Sequence, residues 1–265
     1  MVYGCKIMVT QIEILLLAIV QGLTEWLPVS SSGHLVIMQK ILDLDLPLTY
    51  SVILHFGTLI VVITVFRKDV KEILKALFKG NLETVEGKLA IFIAIGSVPI
   101  AVSGFLLYDF FKSLFSNLLV VGLALLIMGC VLFFSEKNMG NRKMDVRDSL
   151  VIGFAQALTI VPGISRSGLT VATGLLRKID KDTAFRYSFL LSVPAILGAT
   201  LIELKDFTMG NEDLFLMFLG AITSMIVGYA SLKSLQKIVM NKKIHLFAYY
   251  CWAVGITIIL SIVIL

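Results

Sequence analysis

Two stretches of the chain are near copies of each other, and each interrupts an apolar segment with polar residues. Residues 21–33 read QGLTEWLPVSSSG and residues 156–168 read QALTIVPGISRSG, and the two align without a gap. A break of this kind at membrane depth leaves backbone N–H groups unpaired unless they line a protein cavity or bind a polar ligand. Interrupted segments in corresponding halves of a membrane protein indicate a binding site near the bilayer midplane, between inverted repeats. The first copy carries Glu25, with His34 directly after it, and the second carries Arg166, so we interpret the pair as a candidate active site.

The composition places the chain in a membrane. Of its 265 residues, 58% are hydrophobic and 15% are charged, whereas about a quarter of the residues of a soluble domain are charged. The formal charge of +5 falls between the apolar runs, so it indicates orientation and lipid headgroups as partners, not nucleic acid. We therefore expect an all-α, multi-pass protein of the cell membrane that forms a single domain over residues 1–265.

Six apolar windows are long enough to cross about 30 Å of hydrocarbon. Four shorter runs occur in two pairs, each flanking one of the breaks. Each pair predicts a re-entrant helix–loop–helix that enters and leaves by the same face. The windows are 47–66, 89–108, 115–135, 187–204, 214–232 and 244–264, and the paired runs are 11–27 with 34–41 and 149–161 with 168–176.

Basic residues concentrate on alternate connections between these runs. The positive-inside rule places those connections in the cytoplasm and puts both termini on the other face. An odd number of crossings then separates the two re-entrant pairs. A repeat at about 11–136 is therefore expected to be inverted relative to one at about 149–265. The basic connections are 67–88, 137–148, 177–186 and 233–243.

The first break supplies a carboxylate, hydroxyls and an imidazole. Glu25 in an apolar helix is costly unless it faces a cavity, a cation or a metal, and Gln21 shares its helix face at i, i+4. The Gln21 amide is either a ligand for a hard divalent cation, Mg²⁺ or Ca²⁺, or a hydrogen bond between helices. His34 suits the role of acid, base or nucleophile, whereas His55 and His245 are interpreted as structural. Hydroxyls and free N–H groups for an anion come from Ser30, Ser31, Ser32 and Gly33.

The second break places one guanidinium among glycines and serines. Arg166 suits bidentate recognition of phosphate. Since its own segment holds no acid, it needs an anionic partner, either Glu25 or a bound phosphate. The two breaks together suit a phosphate carried on a lipid, with a divalent cation between Glu25 and a diphosphate neutralising much of the charge. The other candidate phosphate ligands are Gly163, Ser165, Ser167, Gly168 and Thr170.

At these residues the chain resembles the undecaprenyl-diphosphate phosphatase family, which is also known for bacitracin resistance. The resemblance rests on Gln21-x-x-x-Glu25, on the LPVSSSGH run that ends at His34, and on the PGISRSG run that ends at Gly168. It covers the whole chain and implies removal of the terminal phosphate from a polyprenyl diphosphate carrier, with a divalent cation. Many members have Glu where this chain has Gln21, which weakens any site with two acidic metal ligands.

The resemblance also implies roles for individual residues. Glu25 and the Gln21 position serve metal or diphosphate, Ser30 or Ser31 with His34 serves the chemistry, and Arg166 binds phosphate. Between the possible nucleophiles Ser30, Ser31 and His34 we favour Ser31, with His34 as acid/base. Our reason is that Ser31 aligns with Arg166 in the repeat and inverted symmetry would bring the two together.

The main alternative function is a transporter or flippase of a polyprenyl phosphate. Inverted repeats with broken helices are how many secondary transporters are built, and the fold by itself does not separate carriers from enzymes. In either case the expected partners are a polyprenyl diphosphate lipid and the bilayer, and a homodimer is a further option.

The predicted orientation is tested by cysteine labelling. Single cysteines at positions 75 and 143, in a chain whose three native cysteines are replaced, should react with a membrane-impermeant reagent only after cells are permeabilised. Labelling of either position in intact cells would contradict the topology.

Overall fold

The computed structural model of the protein describes residues 10–44, 48–107, 110, 113–114, 117–136, 140–203 and 214–264. Within these residues the chain is helical and forms no strand beyond an isolated bridge between Arg142 and Ile179. The helices are α1 (Gln11–Trp26), α2 (Ser31–Ile41), α3 (Leu48–Val65), α4 (Arg67–Phe78), α5 (Val85–Leu106), α6 (Leu118–Ser135), α7 (Val146–Leu158), α8 (Arg166–Leu176), α9 (Lys181–Glu203), α10 (Leu214–Met240) and α11 (Leu246–Ile264).

The expected all-α integral membrane fold is confirmed. Within the described ranges, five helices are long and apolar enough to cross a membrane, namely α5, α6, α9, α10 and α11. A sixth span is obtained if α3 and α4, which meet at an 80° bend, are taken together. Each pair of short apolar runs is a helix, a break and a second helix, as the sequence predicts. Entry and exit by the same face stays a prediction, as do the sides of the termini, which lie outside the described residues.

Helix α4 is an addition to the sequence-based interpretation, which treated residues 67–88 as a connection. Arg67–Phe78 forms a helix that leaves α3 at Phe66. Its buried and half-buried residues Val70, Ile73 and Ala76 recur at helical spacing. Because basic residues lie between these apolar positions, the charge pattern of the segment by itself does not show the helical period.

Both interrupted elements begin in the same way. Thr10 caps α1 and Asp145 caps α7, each with a reciprocal capping box, to Glu13 and to Asp148 respectively. Each cap satisfies two backbone donors that the first turn of a helix leaves free. The caps occupy aligned positions of the repeat, so the resemblance between the halves extends upstream of the breaks.

Helices of each half of the chain pack against helices of the other half. Helix α1 packs on α10, and its counterpart α7 packs on α5, the counterpart of α10. Likewise α3 contacts α10 while α9 contacts α5, and the last helices of the two halves, α6 and α11, contact each other. These five contacts map onto one another when the halves are swapped, as expected for repeats related by a two-fold axis. The repeat boundaries themselves stay a prediction.

Glycines permit the close approach of the exchanged helices. A Cβ atom added at Gly22 of α1 would lie 2.8 Å from the backbone oxygen of Ser224 in α10. At the corresponding interface, Gly153 of α7 lies against the backbone of Gly96 in α5. Small residues serve this purpose in membrane helix pairs, where tight backbone packing replaces the hydrophobic effect as the source of association.

An ionic clip fixes the second broken element. The carboxylate of Asp148 is buried and accepts hydrogen bonds from Arg142 at 2.5 Å and from Arg177 at 2.9 Å. Burial raises the pKa of Asp148, but the bonds from Arg142, the Asp145 backbone and Arg177 outweigh burial and lower the pKa overall. The clip joins the start of α7 to the end of α8 and so fixes the helix that begins with Arg166.

Substitution at Gly22 should separate α1 from α10. Gly22→Ala forces the α10 backbone to move and should cost about 1–3 kcal/mol, which lowers the melting temperature in detergent by several degrees. Gly198→Ala is the matched control, because a Cβ atom there meets nothing within 4 Å. Equal melting temperatures for the two variants would show that the α1–α10 contact is not tight.

Candidate active site

The two breaks are in direct contact. The backbone N–H of Gly163 donates a hydrogen bond to Ser30 Oγ at 3.1 Å, and the Ser165 and Ser167 hydroxyls each lie 3.4 Å from the carbonyl oxygen of Leu27. The contact between breaks that the repeat predicts is therefore present, and it joins residues more than a hundred positions apart.

Glycines lie at this contact in matching places, and at Gly168 the close approach requires one. A Cβ atom at Gly168 would lie 2.7 Å from Pro28 Cβ, and one at Gly33 would lie 3.5 Å from Gly163 Cα. Gly33 aligns with Gly168, and Pro28 with Gly163, so the two contacts are counterparts. Gly163 itself has φ +99°, a backbone conformation that favours glycine.

A helix N-terminus lies on each side of the contact. Ser30 caps α2 by accepting from Gly33 N–H at 3.3 Å, and Ser165 caps α8 by accepting from Gly168 N–H at 3.2 Å. The copies differ at Ser30, which has φ 71° whereas Ser165 has φ −78°. A serine in the left-handed region is strained, and such strain persists where the surrounding structure enforces it. Two helix N-termini at one place favour negative charge between them.

Glu25 is the centre of the polar contacts. It is 6% exposed and its Oε2 accepts hydrogen bonds from Ser31 Oγ at 2.6 Å and from Gln21 Nε2 at 3.0 Å. Arg166 Nη1 lies 3.6 Å from its Oε1, and His55 Nε2 lies 3.6 Å from its Oε2. A carboxylate at this depth is costly, and the guanidinium from the other break supplies the opposite charge.

Several polar atoms around Glu25 have no hydrogen-bond partner among the described residues. These are Oε1 of Gln21 and the Nε and Nη1 groups of Arg166, all of them buried. Gln156, the counterpart of Gln21, is fully buried and both of its amide atoms are unpartnered as well. An unmade hydrogen bond of a buried group costs about 1–3 kcal/mol, so these atoms indicate that a polar ligand completes the site.

His34 is held by two contacts that fix its tautomer. Its Nδ1 lies 2.7 Å from the Ser30 carbonyl oxygen, and its Nε2 lies 2.7 Å from the Tyr250 hydroxyl on α11. A carbonyl oxygen only accepts, so Nδ1 carries the proton. In the neutral ring Nε2 then accepts from the Tyr250 hydroxyl. The Nε2 lone pair is thus engaged by Tyr250.

The structure brings the predicted residues into two groups. Gln21, Glu25, Ser31 and Arg166 form one, and Ser30, Ser32 and His34 lie beside it around the start of α2. The expected pairing of Ser31 with His34 is not among the hydrogen bonds of the described residues, where Ser31 is bonded to Glu25. Thr170 donates to the Arg166 carbonyl oxygen at 2.8 Å, so its hydroxyl is used within α8.

Two site residues were not predicted. The sequence indicates a structural role for His55, and packing of α3 against α1 places its Nε2 beside Glu25, so that it belongs to the polar contacts of the site. Tyr250 was not considered, because nothing near it in the sequence relates it to His34. His245 pairs with Glu136, which also accepts from the Ile244 N–H. This pair joins the end of α6 to the start of α11, which agrees with a structural role for His245.

The fold and these contacts define a class of protein. It is a multi-pass membrane protein in which two broken helices meet at a charged site that has unpartnered polar atoms available for a ligand. The chain belongs to the family described as bacitracin resistance protein BacA, whose model matches residues 14–257. The family resemblance seen in the sequence is thereby confirmed.

Curated relatives match over nearly the full length. An undecaprenyl-diphosphatase of Halothermothrix orenii is 44% identical over 94% of this chain and 96% of its own. One of Korarchaeum cryptofilum is 41% identical over 93% of this chain and 97% of its own. One of Methanosphaera stadtmanae is 39% identical over 94% of this chain and 97% of its own.

The role of Tyr250 is tested by chemical modification. In Tyr250→Phe the Nε2 of His34 loses its donor, so diethyl pyrocarbonate should modify His34 roughly two- to ten-fold faster, the equivalent of one hydrogen bond. Mass spectrometry of the modified peptide gives the rate. Tyr249→Phe is the control, because the Tyr249 ring contacts Phe133 and Trp252. An unchanged rate in Tyr250→Phe would contradict the hydrogen bond from the Tyr250 hydroxyl to Nε2.

Proposed function

We propose that this protein hydrolyses a long-chain polyprenyl diphosphate, of the undecaprenyl type, to the monophosphate and inorganic phosphate, and so recycles a lipid carrier. The observation that carries the proposal is the contact of Ser31 and Arg166 with Glu25 where the two breaks meet. Membership of the BacA family, whose relatives bear the name undecaprenyl-diphosphatase, supports the same activity and substrate.

The diphosphate is proposed to bind at the start of α2 and α8. Arg166 Nε is buried without a hydrogen-bond partner among the described residues, while Nη1 lies 3.6 Å from Glu25 Oε1. A guanidinium can bind two phosphate oxygens at once. The N-termini of both helices favour the anion further. The prenyl tail remains in the hydrocarbon, which suits a site built within an integral membrane fold.

Ser31 is the proposed nucleophile. Its hydroxyl oxygen attacks the terminal phosphorus, its proton passes to Glu25, and the bond from that phosphorus to the bridging oxygen breaks, releasing the lipid monophosphate. Water then hydrolyses the phosphoserine to inorganic phosphate. The 2.6 Å bond from Ser31 to Glu25 supports this path, because the acceptor for the proton is already in place.

The sequence assigned the acid/base role to His34. The geometry instead favours Glu25 for the proton of Ser31, because both nitrogens of His34 are engaged by Ser30 and Tyr250. In our proposal His34 holds the strained turn at Ser30. His34 can transfer a proton to or from the substrate only after its Nε2 separates from the Tyr250 hydroxyl. Direct attack of His34 on the terminal phosphorus would require the same separation.

A divalent cation, Mg²⁺ or Ca²⁺, forms part of the proposal, with Glu25 and Gln21 as its ligands. The residues fit such an ion to a limited extent. They offer one carboxylate and the unpartnered amide oxygen of Gln21, and no group of three or more acidic, His or Cys ligands occurs in the described part of the chain. The remaining ligands of such an ion would be oxygens of the diphosphate and of water, as is common for Mg²⁺. A bound cation would neutralise charge on the diphosphate.

A transporter or flippase of a polyprenyl phosphate is the second candidate. The exchange of packing between the halves favours it, since alternating access uses related repeats. Release of phosphate from an undecaprenyl diphosphate by protein in detergent separates the two, because no gradient exists there. Release supports the enzyme, and transport in vesicles without release supports the carrier.

The arrangement in the membrane completes the proposal. We place the basic connections in the cytoplasm and both termini on the opposite face of the cell membrane, on the strength of the charge asymmetry. In this orientation the two broken elements enter from opposite faces and meet within the bilayer. A homodimer is compatible with this arrangement.

The charges of Glu25 and Arg166 should both be essential. Glu25→Gln keeps the shape and removes the charge, and Arg166→Lys keeps the charge but loses the planar fork. Each should lower kcat/KM for phosphate release by roughly 100-fold or more. Arg147→Lys is the control, because Arg147 is exposed. Near-normal kcat/KM in Arg166→Lys would contradict bidentate binding of phosphate.

The nucleophile is identified by paired serine variants. Ser31→Ala should lose most turnover yet still bind the lipid diphosphate. Ser32→Ala should be milder, because the Ser32 hydroxyl is hydrogen-bonded to the hydroxyl of Ser30 and not to Glu25. Mapping a trapped phosphorylated intermediate provides the direct measurement. Phosphohistidine at position 34, or substantial activity in Ser31→Ala, would overturn the assignment.

A further inference from the structure

Among the described residues, helix α4 is anchored to the protein along one side. Asp69 forms an ion pair with Arg186 of α9, and Val70 and Ile73 pack against the hydrophobic core. The 80° bend at the end of α3 turns α4 across the direction of the span that precedes it. An amphipathic helix in this orientation, at the end of a span, suits the plane of the membrane interface.

The opposite side of α4 forms a groove of about 350 Å³ with the end of α3. Its apolar wall consists of Ile63, Leu74 and Phe78, with Val70 at the edge that adjoins the anchored side, and its cations are Arg67, Lys71 and Lys75. Phe78 is 88% exposed and Leu74 is 47% exposed. A wholly apolar side chain that projects so far from the protein surface is stabilised when hydrocarbon covers it.

The charge in the groove is positive and largely uncompensated. Lys75 is paired with Glu72 at 2.6 Å, and Asp69 is used by Arg186 on the anchored side. Arg67 and Lys71 have no ion pair among the described residues, and both line the groove. The groove therefore combines two free cations with an apolar wall.

We propose that this groove binds an anionic phospholipid of the leaflet that faces α4. Its phosphate would lie against Arg67 and Lys71, and its acyl chain would cover Ile63, Leu74 and Phe78. Under the positive-inside rule this leaflet is the cytoplasmic one, whose surface is negatively charged. The groove is separate from the contact of the breaks. Ile63 lies eight residues beyond His55 on α3, about 12 Å along the helix, and the proposal does not rest on the catalytic function.

The test is native mass spectrometry of the purified chain in detergent with added phosphatidylglycerol or phosphatidylcholine. Phosphatidylglycerol should be retained in preference. Arg67→Gln/Lys71→Gln should lower its retention roughly ten-fold or more, since each basic residue near the surface contributes to attraction of anionic lipid. Lys68→Gln/Lys79→Gln removes the same charge from residues outside the groove and should change retention little.

A second pair of variants tests the apolar wall. Phe78→Ala should weaken retention of phosphatidylglycerol, whereas Leu77→Ala, a half-exposed residue outside the groove, should not. Unchanged melting temperatures confirm that the variants are folded. Three results would overturn the proposal: equal retention of the two lipids, equal effects of the two double variants, or displacement of the lipid by glycerol 3-phosphate as readily as by phosphatidylglycerol.

Discussion

The structure depends on the neutralisation of one carboxylate within the bilayer. Glu25 is almost fully buried, and an uncompensated charge there would oppose folding. The opposite charge, on Arg166, comes from the other half of the chain. Because the two charges belong to separate breaks, the ion pair exists only when the halves are packed together. It therefore makes the assembly of the fold a condition for the assembly of the site.

The same contact also satisfies the interrupted backbone. Ser30 and Ser165 cap the helices that follow the breaks, and Ser30 additionally accepts the N–H of Gly163 from the opposite break. Each break thus supplies hydrogen-bond partners for backbone groups of the other, which the hydrocarbon of the bilayer would leave unpaired. The strained φ of Ser30 is tolerated because these bonds, with the bond from His34 to the Ser30 carbonyl oxygen, hold the turn from several directions.

The repeat supplies a scaffold, and departures from the repeat supply the charged and titratable groups where the breaks meet. Aligned serines cap the helices, aligned glycines allow the approach, and aligned caps begin α1 and α7. Where the copies differ, Glu25 stands opposite Ile160, Ser31 opposite Arg166, and His34 opposite Leu169. If the two breaks were identical, each side chain would face a copy of itself, and two copies of a charged side chain would repel each other. The differences instead place an acid, a hydroxyl and a guanidinium within reach of one another.

The sequence by itself determined the helical membrane fold and both breaks, and it singled out Glu25 and Arg166 as candidate site residues. These follow from apolar length, from Pro, Ser and Gly in apolar runs, and from the cost of charge in hydrocarbon, all of which are local. Only the tertiary structure decided that Ser31 bonds to Glu25, that His55 joins them, and that Tyr250 holds His34. It also revealed α4, whose helical period is concealed by its lysines. The contacts of His55 and Tyr250 join residues distant in the chain, and the bond from Ser31 to Glu25 spans a break. Helix packing sets which side chains face each other in all three cases, and no local pattern of residues encodes that choice.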